Sequence, residues 1–356
     1  MNGTAPDNFP TEKDYPPAPY AWYVVGVLLI VGITSYLDRN IIALLVEPIR
    51  ADLGLSDTEV SFLQGTAFAI FYVAFGLPFG MLADRVNRRT LLALGVAWWS
   101  LMTAAGGFAE NYWQLFAARA GVGIGEACLA PAAFSILADY FQPARRGRAM
   151  SIYNMANYIG GGASLFIGGL VLGMLGGVGT AFLPVIGSIE SWKATFILIG
   201  TPGLLLSLLM LTVKEPARRG TLPRRESGTR EGFIQHMLKA PRVYAAVHFS
   251  GAMTAFTGYA VFAWSPTHLV RQFGFEPAEA GVMMGPIAAV CGMLGCIGSG
   301  FASDWLVRKG TRGGRFAIPL AWWPIALVGI SLIVLSPTHV GALLGVGVFA
   351  LGSGFG

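Results

Sequence analysis

Four charged residues interrupt otherwise apolar stretches: Asp38 and Arg39 in ITSYLDRNII, and Arg119 and Glu126 in AARAGVGIGEACLAP. A charge in hydrocarbon costs about 3 kcal/mol or more, so such a group faces a cavity or a partner. Arg119 and Glu126 lie two helical turns apart, hence on one face and about 10 Å apart along the axis. An acid stripped of water can hold a proton near neutrality. An arginine stays charged and offers a bidentate fork to carboxylate or phosphate. An acid beside paired cations is the smallest set that couples an anionic group to a proton. The plainer alternative is two ion pairs that join two helices. Asp38 has Arg39 beside it and Arg119 at similar depth, so it is expected to stay ionised and to pair with an arginine in one state. Glu126, beside Gly125 and Cys128, is expected to be the main titrating group.

The elements that hold these residues are read from hydropathy. Hydrophobic residues make up 54% of the 356 and charged ones 12%, against about 25% charge in soluble domains. Too little polar surface exists to face water, so lipid is the solvent. Spans need roughly 20 apolar residues each, and ten candidates follow: about 21–46, 58–82, 90–108, 113–139, 149–174, 194–213, 243–268, 279–303, 316–336 and 340–356. Residues 1–20, with Pro10, Pro16, Pro17 and Pro19, read as a disordered tail. Residues 214–240 form the one long polar stretch, separating a six-helix bundle over 21–213 from a second bundle over 241–356. Within it, EGFIQHMLKA (231–240) carries an apolar face at helical spacing and suits a short helix on the membrane surface.

Most of the 24 Lys and Arg fall at the N-terminus and in the turns after the second, fourth, sixth and eighth spans, whereas the opposite turns hold only Arg50, Lys193 and Arg271. The positive-inside rule then puts the N-terminus and the central loop in the cytoplasm, and the chain is expected in an inner (plasma) membrane. The same bias accounts for the net charge of +5 without nucleic acid. Cys128, Cys291 and Cys296 all lie in apolar spans and read as packing residues. No Ser-His-Asp set, metal-ligand cluster or phosphate-binding loop is visible, which disfavours an enzyme, a metal site or a cofactor.

Gly80-Met-Leu-Ala-Asp84-Arg85-Val-Asn-Arg88-Arg89 recurs in outline as Gly300-Phe-Ala-Ser-Asp304-Trp-Leu-Val-Arg308-Lys309. The first copy resembles the loop signature between helices two and three of the major facilitator superfamily, and the second its degenerate partner between helices eight and nine. The run R-A-G-V-G-I-G-E resembles the helix-four signature of that superfamily. More narrowly, YLDRN, RAGVGIGEACLAPAAFSILADYF and RRGRAMSIYNMANYIGGG resemble the Spinster family, known for moving lysophospholipids and sphingosine-1-phosphate.

The resemblance implies an all-α membrane protein with two pseudo-symmetric bundles. Twelve helices are usual there, so the second bundle is expected to be incomplete in this chain. It implies a secondary transporter of an amphipathic lipid, working as a monomer by alternating access, with protons as coupling ion and no other cofactor. It places Glu126 and Asp38 at proton coupling and Arg39 and Arg119 at the substrate headgroup. Asp84, Arg85, Asp139 and Asp304 then form a cytoplasmic gate. Cavity candidates are Tyr36, Asn154, Asn157, His248, Phe256 and Trp264, with Tyr259 and Phe262 as further apolar walls. A small organic anion or hydrophobic drug as cargo, or a scramblase or receptor on the same fold, are the alternatives.

Overall fold

The computed structural model describes residues 15–219, 237–311 and 314–355. All ten expected spans are helical, several as stacked pieces. Helix α1 (Ala18–Asn40) follows Pro17 and runs into a 3-10 turn at Ile41–Ala43. Helix α2 (Val46–Leu53) stops at Gly54, which turns the chain with φ 64°, a left-handed value that glycine adopts without strain. Helix α3 (Asp57–Ser61) starts on a Ser56/Glu59 capping box, and its π turn at Phe62–Thr66 leads into α4 (Ala67–Ala83). Asn87 caps α5 (Arg88–Gly106), and Asn111 caps α6 (Tyr112–Glu126), each accepting from a backbone N–H.

Next come α7 (Leu129–Tyr140), α8 (Pro143–Asn154) and α9 (Ala156–Met174), then a hairpin of β1 (Thr180–Leu183) and β2 (Gly187–Glu190). The rest is α10 (Ser191–Met210), α11 (Pro241–Phe273), α12 (Pro277–Arg308), α13 (Gly314–Leu335) and α14 (His339–Ser353). Among the described residues, seven helical segments are long and apolar enough to cross a membrane, against the ten expected. Helices α5 and α11 are less apolar, and α14 is short. The seven segments make the chain an integral membrane protein. Most of the polar stretch 214–240, including 231–236 of the expected surface helix, lies outside the described residues, as do residues 1–14 of the expected tail.

Three apolar cores hold the helices. One joins α1, α5 and α7 around Trp99, and a second gathers α2, α6 and α10 around Trp192 and Phe196. The third, around Trp322, ties α11–α14 together and includes Leu165 of α9. Helices α9 and α12 pack backbone to backbone: a Cβ on Gly162 would strike Gly285 and Ala289. Small residues at such a crossing let two helices approach where lipid gives no hydrophobic drive.

Candidate functional site

The four buried charges come together at the break that ends α1. Glu126 Oε2 takes Arg39 Nε at 3.0 Å, the Arg39 Nη2, and the Ser35 hydroxyl at 2.8 Å. Arg39 Nη1 donates to the Tyr259 hydroxyl of α11 at 3.0 Å, so one guanidinium spans α6 and α11. Its plane lies over Phe68, 4.4 Å from the ring centre, with Tyr36 and Tyr72 at 5.0 and 5.3 Å. Phe68 and Tyr72 escape sequence reading because nothing in their own segment marks them, and Ser35, one turn before Arg39, because its hydroxyl carries no charge. Only the fold brings Phe68 and Tyr72 to Arg39 and Ser35 to Glu126.

Arg119 has a different task. Its Nη1 donates to the Asp38 carbonyl at 2.9 Å and its Nη2 to the Arg39 carbonyl at 2.5 Å. These are carbonyls at the C-terminal end of α1, where the regular ladder breaks off. The side chain is 1% exposed. It braces the backbone that carries Asp38 and Arg39 and does not present a fork to the cavity, contrary to the headgroup role expected of it.

The acids also differ from expectation. Asp38 pairs with no arginine: neither carboxylate oxygen has a hydrogen-bond partner among the described residues. It points at α5, where the Trp99 and Thr103 side chains face it as loosely placed donors, and the Arg119 charge also acts on it. Glu126, expected to be the main titrating group, is fully buried as expected, but it and not Asp38 is the acid that holds an arginine, Arg39. The reason is geometric. Successive residues on a helix are turned by about 100°, so Arg39 faces α6 and α11 while Asp38 faces α5. Sequence adjacency does not make the two a pair.

Two cavities adjoin the pair. The larger, ≈ 660 Å³, runs from Arg39 and Gln64 past Phe68 and Tyr72 to Phe256 and Trp264. The smaller, ≈ 370 Å³, is lined by Tyr36, Asn157 and Tyr158 on one side and Phe262, Met284 and Phe349 on the other. Asn40, Tyr259 and Phe262 border both. Of the expected cavity residues, Tyr36, Asn157, Phe256 and Trp264 line one or the other. Asn154 and His248 line neither: both are exposed, and the His248 Nδ1 contacts the Tyr244 carbonyl one turn back.

Ion networks sit at both ends. At the end bearing the basic turns, the hub is Arg88, which meets Asp139 at 2.5 Å, Glu215 at 2.7 Å and the Ser135 hydroxyl at 2.7 Å. The segment 214–219 is strapped there: Tyr140 donates to the Lys214 carbonyl, Arg88 to the Pro216 carbonyl and Arg218 to the Ala83 and Val86 carbonyls. Asp139 thus belongs to this network. Asp84, Arg85 and Asp304 are exposed and form no ion pair among the described residues. The loop signature placed charge at this end correctly but could not say which arginine turns inward.

At the opposite end Arg271 of α11 holds Glu47 at 2.7 Å and Asp57 at 2.7 and 2.9 Å, and Arg50 reaches Glu47 at 3.1 Å and Asp57 at 3.0 Å. Two of the sparse cations of that side therefore clamp α11 to the α2–α3 segment.

A helical membrane protein with a buried ion pair beside a cavity walled by helices of both halves has the architecture of a carrier. The chain belongs to the Major Facilitator Superfamily, whose family profile matches residues 28–356. It is 31% identical over 322 residues, 90% of this chain and 68% of the relative, to an MFS-type efflux pump of Mycolicibacterium smegmatis. It is 29% identical over 301 residues, 80% of this chain and 62% of the relative, to a probable L-galactonate transporter of Escherichia coli. Among solved structures, the inward-facing, unoccupied crystal structure of a bacterial homolog to the human lysosomal transporter Spinster matches with TM-score 0.78 at 27% identity, covering 96% of this chain and 74% of that one. The family is one of transporters and not of enzymes, and the Spinster resemblance read from the first-half motifs holds.

Proposed function

We propose that this chain moves an amphipathic lipid with an anionic or zwitterionic headgroup across the membrane by proton-coupled alternating access. The observation that carries the reading is the Arg39–Glu126 pair at the edge of a cavity whose other walls are mainly aromatic and aliphatic. A single charged pole with apolar walls suits a cargo with one charged end. Arg39 would exchange its Glu126 partner for a substrate oxyanion. Glu126, once released, would need a proton or another donor, because an unpaired buried charge is costly.

Asp38 is the more natural resident proton site. It is fully buried and makes no ion pair among the described residues; the donors its carboxylate faces are the neutral Trp99 and Thr103 of α5, while Arg119 is held by the carbonyls behind it. Its position beside Arg39 in the chain would let protonation at Asp38 alter the end of α1, and so the reach of the guanidinium. With the basic turns cytoplasmic, the Arg271 clamp closes the outer side, which agrees with an inward-facing state.

A second reading is a carrier of a small organic acid, favoured by the same arginine fork and by the likeness to a probable sugar-acid transporter. Proteoliposomes loaded with labelled lysolipids of increasing chain length, with and without a pH gradient, separate the two. Each buried methylene adds about 0.8 kcal/mol, so a lipid carrier should favour longer chains. Equal transport of a headgroup that lacks its chain would sink the lipid reading and favour the small acid.

A further inference from the structure

The β1–β2 hairpin, between α9 and α10 at the end opposite the basic turns, is an apolar finger that the bundle leaves uncovered. Its register pairs Thr180 with Glu190, Ala181 with Ile189, Phe182 with Ser188 and Leu183 with Gly187, which leaves Pro184, Val185 and Ile186 as the tip. Phe182 is 72% exposed and Val185 96%. From Leu175 to Ile189 no residue carries a charge, and only Thr180 and Ser188 are polar.

The base is built and not frayed. Ser191 N–H donates to the Gly179 carbonyl at 2.7 Å, and its hydroxyl to the Leu175 carbonyl at 3.3 Å. Gly176 and Gly177, at φ 87° and 77°, turn the chain out of α9. Ala181 is buried while its neighbours Thr180 and Phe182 face out. The finger therefore has a fixed attitude, with one face inward and Phe182 outward.

We infer that this hairpin is an interfacial anchor that lays Phe182, Val185 and Ile186 into the headgroup region of the adjacent leaflet. Three observations select lipid as the occupant. The strands leave directly from the ends of two membrane helices, so the bilayer surface lies beside them. The segment has no charge to keep it in water, unlike the acid- and base-rich α2–α3 segment at the same end, and two strands alone are marginal there. Phe108 and Trp113, at the turn between α5 and α6, are also exposed at this end, as expected of an aromatic belt. The depth is bounded too. A two-stranded hairpin keeps unpaired N–H and C=O groups along its outer edges, which hydrocarbon does not tolerate. The side chains dip while the backbone stays at headgroup level.

The base also marks where the anchor acts. Gly177 lies next to the Glu276 carboxylate, just before α12 begins, at the end of the α9–α12 seam where the halves pack most closely. An anchor there would hold the first bundle in the leaflet while the second rocks against it.

The test uses the intact chain with Cys291 and Cys296 replaced by Ser and buried Cys128 kept. Val185→Cys carries an environment-sensitive dye in phosphatidylcholine–phosphatidylglycerol proteoliposomes. Thr58→Cys, exposed on the charged α2–α3 segment, is the aqueous control. The expected result is blue-shifted emission at 185, quenched several-fold more by lipids bearing a nitroxide near the headgroup than by aqueous iodide, with the reverse at 58. Phe182→Asp should restore much of the iodide quenching at 185. The proposal is overturned if the dye at 185 behaves as it does at 58. It is equally overturned if the dye is shielded from both quenchers and self-quenches as protein density rises, since a second copy would then cover the tip. Neither reading of the cargo affects these readouts.

Discussion

Asp38 and Glu126 are both fully buried acids at the junction of α1 and α6, yet they are held in opposite ways. Glu126 is enclosed by a guanidinium and a hydroxyl and touches the cavity through Arg39. Asp38 faces α5, away from the cavity, with both oxygens unpartnered. The first arrangement suits a group that stays charged until its partner is drawn away. The second suits a group that stores a proton where substrate does not reach. Under the proposed function, that contrast would separate cargo recognition from proton storage over a single helical turn.

The largest effect should come from breaking the enclosed pair. Arg39→Ala leaves Glu126 without a cation in a dry site, a loss of about 3–5 kcal/mol when one partner of a buried pair goes. Transport should fall to background, and thermal unfolding in detergent should shift down. Arg39→Ala with near-normal turnover would remove Arg39 from the cargo path.

Arg119 comes next, and here its two possible roles diverge. As a brace for the α1 carbonyls it should tolerate Arg119→Lys poorly, because an ammonium cannot span two carbonyls with the same geometry. Stability should drop and turnover with it, while the apparent affinity of surviving protein stays near normal. A selective loss of affinity with unchanged stability would return Arg119 to the headgroup site.

Asp38→Asn should be mild for folding, since it replaces an acid that has no ion pair with a neutral amide. Its signature is in coupling: exchange of substrate should persist while the response to an imposed pH gradient disappears. Glu126→Gln should instead damage transport at every pH. If pH dependence survives in Asp38→Asn and vanishes in Glu126→Gln, the proton belongs on α6.

Smaller still is the clamp at the far end. Arg271 is 40% exposed in its side chain, and each such pair is worth about 0.2–1 kcal/mol. Arg271→Ala should therefore shift the inward–outward equilibrium only a few-fold, read as faster thiol labelling of a Cys placed at Trp264 from the outer side. Asp84→Asn, at an exposed site with no ion pair among the described residues, should change turnover least and substrate affinity not at all. The corresponding change at the buried hub, Arg88→Ala, should be the more harmful.

Much of this was legible in the chain because membrane physics writes coarse rules into composition. Apolar runs give the spans to within a few residues, as at 58–82 against the observed Asp57–Ala83. Charge in such runs marked Asp38, Arg39, Arg119 and Glu126 as residues that the fold would have to bring together, because lipid penalises any charge without a partner. The paired decapeptides and the helix-four signature gave the family. Partnerships were not legible. Which of two adjacent residues faces a cavity depends on the rotation and tilt of α1 against α5, α6 and α11, and those are set by packing spread over the whole bundle. The same holds at the basic end: the signature supplied Asp84, Arg85, Arg88 and Arg89, but only the position of the 214–219 strap decided that Arg88 would be the buried hub. Sequence fixes which groups are too expensive to bury alone. Tertiary structure decides who relieves them, since that relief acts over a few ångströms between helices far apart in the chain.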